Sequence, residues 1–111
     1  MFRYVALAVA LAVSLATTVT AADAKPIRVL FLGDNGHHRP ADRFRQIEPV
    51  LTKRGIELTY SDRLESLNPD TLAGYDGLLI YANFTALAHA QERALLDFVA
   101  GVHHALRGWL P

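Results

Sequence analysis

The chain of 111 residues contains no cysteine. That excludes disulfides, thiolate metal ligands and a cysteine nucleophile, and it suits an oxidising compartment. No charge of one sign dominates: 11 Lys and Arg balance 11 Asp and Glu. Without a basic patch or a charge run, nucleic acid is not an expected partner, and neither is an acidic membrane surface. There is no Gly-x-Gly-x-x-Gly and no Gly-x-x-x-x-Gly-Lys-Ser/Thr. The phosphate cradles of dinucleotide and nucleotide sites are therefore missing, and no cofactor is expected. Internal repeats and low-complexity linkers are absent too. No apolar run reaches the roughly twenty residues of a membrane-spanning helix.

The longest apolar run lies at the start. Arg3 precedes Val5–Val13, and the run continues to Leu15-Ala16 before small and polar residues take over. Its core is about a dozen residues, too short to span a bilayer. Ala22-Asp23-Ala24 fits an A-x-A cleavage pattern, with Val19-Thr20-Ala21 as an alternative. Residues 1–24 read as a secretory signal peptide, which implies a periplasmic or secreted product with no stable membrane anchor after cleavage.

The rest reads as one small α/β unit. Ile27–Leu32 is apolar at nearly every position, the pattern of a strand covered on both faces. An amphipathic helix is expected from about Ala41 to Arg54, with Phe44, Ile47 and Leu51 on its inner face. Pro49 inside it predicts a kink or a break, and Gly55 suits the helix end. Ile56–Ser61 alternates apolar and polar, as an edge strand does. Asn68–Leu72 reads as a turn into one short helical turn. Tyr75–Ala82 is a third strand, apolar enough from Leu78 onward to be central. A last helix is expected from about His89 to Ala100, with Leu95, Phe98 and Val99 facing inward and Gly101 closing it. An alternating second strand beside continuous first and third strands predicts the order 2-1-3. That is the start of a flavodoxin-like open parallel sheet with right-handed crossovers.

In such sheets ligands bind beyond the carboxyl ends of the strands, at the switch point between strands one and three. The loop after strand one is Gly33-Asp34-Asn35-Gly36-His37-His38-Arg39-Pro40. It is far more polar than a connector requires. With Asn83-Phe84-Thr85-Ala86 after strand three, it is expected to line one crevice. The candidate ligand-binding residues are Asp34, Asn35, Gly36, His37, His38, Arg39, Asn83 and Thr85. Imidazole is the side chain suited to proton transfer near neutral pH, so His37 and His38 could handle protons or bind substrate; equally, either could cap the following helix or bond a loop carbonyl. Adjacent histidines in an extended loop point apart, and no H-x-H or H-x-x-x-H spacing accompanies them, so no metal site is assigned. Asp34 alone does not make a phospho-acceptor pocket, because Tyr81-Ala82-Asn83 stands where that pocket needs an aspartate. His103-His104 read as solvated.

Several of these segments together resemble secreted ThuA-like (trehalose-utilisation-like) proteins, of the class I glutamine amidotransferase-like superfamily. The matching residues are Ile27–Gly33, the Asp34–Pro40 loop with Arg43-Phe44, Lys53-Arg54-Gly55-Ile56, Tyr75-Asp76-Gly77-Leu78 and Gln91-Glu92 to Gly101. Gly36-His37-His38-Arg39-Pro40 is the most specific part. The resemblance implies a flavodoxin-like fold and a role in carbohydrate metabolism. It also implies a glycine-rich turn and a fourth strand after the last helix. Here Val102–Pro111 departs from that pattern, so the chain reads as residues 25–101 of a partial ThuA-like domain with a divergent tail at 102–111.

Two function classes follow from this reading. One is a domain that binds or processes a carbohydrate-derived small molecule at the carboxyl ends of strands one and three. The other is a non-catalytic accessory or binding module, or an inactive truncated fragment. A third strand without a neighbour also implies self-association through its exposed edge.

Overall fold

The computed structural model describes residues 25–107. Residues 1–24, where the sequence reading places a signal peptide, and residues 108–111 lie outside the described residues. Three parallel strands form one sheet in the order β2-β1-β3, with β1 at Ile27–Leu32, β2 at Ile56–Ser61 and β3 at Gly77–Ile80. Helices α1 (Pro40–Thr52), α2 (Pro69–Leu72) and α3 (His89–Arg107) flank it, with one 3₁₀ turn at Leu64–Ser66. This is the α/β, flavodoxin-like open sheet expected from the strand patterns.

The sheet order follows from which strands can be covered. β1 is central, and its last three residues, Leu30, Phe31 and Leu32, are almost fully buried. Alternation sends them to opposite faces. Leu30 and Leu32 pack with Leu67, Leu72 and Ala94, and Leu78, Phe84 and Phe98 close around that cluster. Phe31 points the other way. Its ring lies 5.7 Å from Phe44 of α1, 5.8 Å from Tyr60 of β2 and 6.4 Å from Tyr81 beyond β3. Burying each of these large side chains contributes about 1.5–3 kcal/mol, so two thin apolar layers carry the fold. β2 buries Leu58 and exposes Glu57 and Thr59, as its alternation requires.

Several local expectations need correction. β3 is an edge strand among the described residues, because β1 occupies the centre; it is also shorter than expected, four residues. Tyr75 and Asp76 precede it and fasten its start to β1. Asp76 accepts the Arg28 N–H at 2.9 Å, and the Arg28 guanidinium sits over the Tyr75 ring. α1 runs unbroken through Pro49, which stands in the exposed last turn where only one internal bond is forfeited. Gly55 closes that connection with a φ of +79°, a conformation glycine adopts freely. α3 does not stop at Gly101 but continues to Arg107. The apolar period passes through it: Ala94, Phe98, Val102 and Ala105 share one side. Ala94, not Val99, is the buried contact; Val99 is exposed. α2 starts as its sequence foretells, with Asn68 Oδ1 accepting the Thr71 N–H at 2.8 Å.

Candidate functional site

The polar loop begins where β1 ends. Gly33 is buried there because Pro40 and the Tyr60 hydroxyl crowd it; a Cβ on Gly33 would lie 2.7 Å from each. That close approach lets the loop turn over the end of β2 and enter α1.

Asp34 is the hub of the site. Its Oδ1 accepts the Gly36 N–H at 2.9 Å, an Asx turn within the loop. Its Oδ2 accepts the Asn83 N–H at 2.6 Å from the loop after β3. The His38 Nε2 lies 3.2 Å from Oδ1. The Asn83 and Gly36 amides favour the charged carboxylate and hold its pKa below the ordinary value of 3.8; partial burial opposes this, and His38 and His37 add a smaller pull in the same direction. Asp34 is thus an anion at neutral pH with backbone donors already on it.

His38 is half-buried and meets the Tyr81 ring edge-on at 5.2 Å. His37 is exposed, and its ring meets that of His38 in a T-shaped arrangement with centroids 5.9 Å apart. The two rings thus meet rather than point apart, contrary to the expectation for neighbours in an extended loop. Arg39, at the α1 N-cap, adopts φ +54°, the left-handed region that side chains other than glycine seldom occupy. Its Nε lies 2.6 Å from Asp42 Oδ2, and Arg45 reaches the other oxygen of the same carboxylate.

The structure divides the predicted residues between two sides of Asp34. Toward β2 a polar recess of about 250 Å³ opens, lined by Asp34, Asn35, Gly36, Arg39, Tyr60 and Asp62 among others. Toward β3 lie His38, Tyr81 and the Asn83 backbone. Asn83 contributes its N–H to Asp34, while Thr85 is exposed and makes no hydrogen bond to the first loop. So the two loops are joined, but the recess opens on the β2 side rather than between them. Tyr60 and Asp62 were not among the sequence candidates. The signal was the order 2-1-3 itself, which sets the carboxyl end of β2 beside the first loop. Burial raises the Tyr60 phenol pKa, the Asp62 and Asp34 carboxylates raise it further, and Arg45 opposes them.

A larger groove, about 760 Å³, lies elsewhere, between α2 and the second half of α3. It is mainly apolar and adjoins Tyr75 and Asp76 at the amino end of β3, away from the polar loop. Among the described residues no three His, Asp or Glu side chains converge as a metal site would require, and no helix is long and apolar enough to cross a membrane. Comparison with known protein families, with characterised proteins and with solved structures finds no match to this chain.

Proposed function

We propose that this chain is a secreted ThuA-like domain that binds a carbohydrate-derived small molecule beside Asp34, at the carboxyl ends of the strands. The observation that carries the proposal is Asp34 itself. It is a carboxylate fixed by two backbone amides, with an imidazole on one side and a polar recess on the other. A carboxylate fixed in this way accepts hydrogen bonds from sugar hydroxyls without reorganising. Asn35, Arg39, Tyr60 and Asp62 offer further donors and acceptors around the recess, and the exposed His37 can close over a ligand from the loop rim.

The reading is of binding. Turnover would need a reacting group placed against the substrate, and His38 beside Asp34 is the pair in reach of that role. A non-catalytic accessory module uses the same residues for recognition alone. Secretion is part of the proposal: residues 1–24 would direct export, leaving an N-terminus between Ala22 and Lys25.

Titration with glucose and trehalose, followed through backbone amide resonances, tests the binding site. The expected result is saturable shifts confined to 33–40, 60–62 and 82–86, lost in Asp34→Ala. Shifts centred on the α2–α3 groove, or none at millimolar sugar, would overturn it.

A further inference from the structure

We propose that the groove between α2 and the second half of α3 binds a small organic cation with an apolar body, of the alkyl quaternary ammonium class. The groove is separate from the polar recess, and the proposal does not rest on the sugar reading. Leu72 of α2 and Tyr75 after it form one wall; Ala94, Phe98 and Val102 of α3 form the other. Both walls belong to the described chain, so the groove does not depend on the unpaired edge of β3. Packing holds it open. Leu72 and Ala94 are buried members of the core, and Tyr75 and Phe98 pack against that same cluster. Small side chains hollow it: Gly101 faces it, and a Cβ there would meet nothing within 4 Å.

Size and lining together select the ligand. A volume of about 760 Å³ falls within the range of small-molecule sites, roughly 300–1,000 Å³. Mainly apolar walls suit an apolar body, whereas a sugar would give up water there and find few partners. The charge is selected as well. Among the described residues Asp76 and Asp97 are the only charged groups lining the groove, and both are acidic. Neither carboxylate forms an ion pair among the described residues. Arg28 stacks over the Tyr75 ring and leans toward Glu57 on β2, and it does not line the groove. Tyr75 and Phe98 add two aromatic rings, whose faces attract cations and are the usual partners of quaternary ammonium groups. A cation thus meets two carboxylates and two rings, a neutral chain meets only the walls, and an anion is repelled.

Hexyltrimethylammonium is the probe, with 1-hexanol and hexanoate as its neutral and anionic counterparts. Each is titrated into the full 111-residue chain and followed through backbone amide resonances. The expected result is saturable shifts at 72–76 and 94–105. The cation should bind roughly threefold more tightly than the alcohol, the scale of an exposed cation–π contact, and hexanoate most weakly. Asp97→Asn should leave hexanol binding unchanged and remove most of the cation's advantage. Gly101→Leu should fill the groove and abolish binding of all three, without unfolding the chain, because leucine suits a helix interior better than glycine does. Equal affinity for cation and alcohol overturns the proposal. So does an advantage untouched by Asp97→Asn, binding that survives Gly101→Leu, or no saturable shift at millimolar probe. None of these outcomes bears on the sugar titration, whose shifts belong to the loops at the other end of the strands.

Discussion

The backbone N–H of Asn83 reaches Asp34 Oδ2 at 2.6 Å, joining two residues 49 positions apart in sequence. Neither residue could make the bond without the sheet order, because β1 and β3 must be neighbours for their carboxyl-end loops to meet. The bond gives one carboxylate two duties. It fastens the loop after β3 to the loop after β1, and it is the anion beside the recess.

That double duty has a pH signature. The folded protein holds the Asp34 pKa below 3.8, so Asp34 contributes stability above that value and loses it as pH falls through the lowered folded pKa. Asp34→Asn should therefore weaken the protein at neutral pH. Its disadvantage should shrink as pH falls below about 3.8, where the unfolded carboxyl takes up its proton first, and should be least once pH has passed the lowered folded pKa. Acid unfolding of the two proteins side by side checks this. Amide exchange offers a second reading: protection at Asn83 and Gly36 should fall in the variant while Leu30–Leu32 stay protected. A gap between the proteins that is constant across pH would show that Asp34 does not carry the tie.

Gly33→Ala should be the most damaging small change in the loop. The new methyl would sit 2.7 Å from Pro40 Cβ and 2.7 Å from the Tyr60 hydroxyl. Tyr60 has little room to retreat, since its ring packs 5.4 Å from Phe44 and 5.8 Å from Phe31. Overpacking of this kind costs about 1–3 kcal/mol. For a domain of this size each kcal/mol lowers Tm by about 4–8 °C. A thermal melt within about 2 °C of the unsubstituted chain would mean that the loop and α1 move apart easily.

The two histidines should separate in their effects. His37 is exposed and has only His38 as an aromatic neighbour, so His37→Ala should change stability by less than about 0.5 kcal/mol, the usual scale at the surface. His38 packs against Tyr81 and Asp34, and its loss should cost about 1 kcal/mol, the scale of an aromatic pair. Sugar titration of both variants then divides recognition from support. If His37→Ala leaves the sugar-dependent amide shifts intact, the rim histidine has no part in binding.

The sheet order was readable because burial leaves a period in the sequence. Leu30-Phe31-Leu32 is apolar on both faces and became the central strand; Ile56, Leu58 and Tyr60 alternate with polar residues and became an edge. Helix ends were less readable. Gly101 carries the usual mark of a helix end, yet Val102 and Ala105 extend the groove-facing side beyond it and the helix goes on. Val99 reads as core by type and spacing, but the small Ala94 is what fits against Leu30 and Leu32. The candidate loop was legible from its polarity alone. Tyr60 and Asp62 were not, since their place at the recess depends on a neighbouring strand, and the Asn83 contact runs through a backbone amide that side-chain type cannot reveal.

Arg39 poses the sharpest question about strain against function. Its φ of +54° costs a side-chain-bearing residue about 1–2 kcal/mol relative to glycine. Arg39→Gly removes that cost. It also gives up the ion pair with Asp42, worth about 0.2–1 kcal/mol for a side chain 75% exposed. The freer unfolded chain takes a further 0.4–1 kcal/mol, roughly. These contributions nearly cancel, so Arg39→Gly should leave stability within about 1 kcal/mol of the original. Stability would then not account for a guanidinium held at the recess in spite of its backbone conformation, and the proposed ligand contact can be tested apart from folding. The variant should melt at nearly the same temperature and lose sugar-dependent shifts at Asn35 and Gly36. Unchanged shifts in a stable Arg39→Gly chain would remove Arg39 from the site. A loss of more than about 2 kcal/mol would instead make Arg39 part of the α1 cap, with the Asp42 pair worth more than its exposure allows.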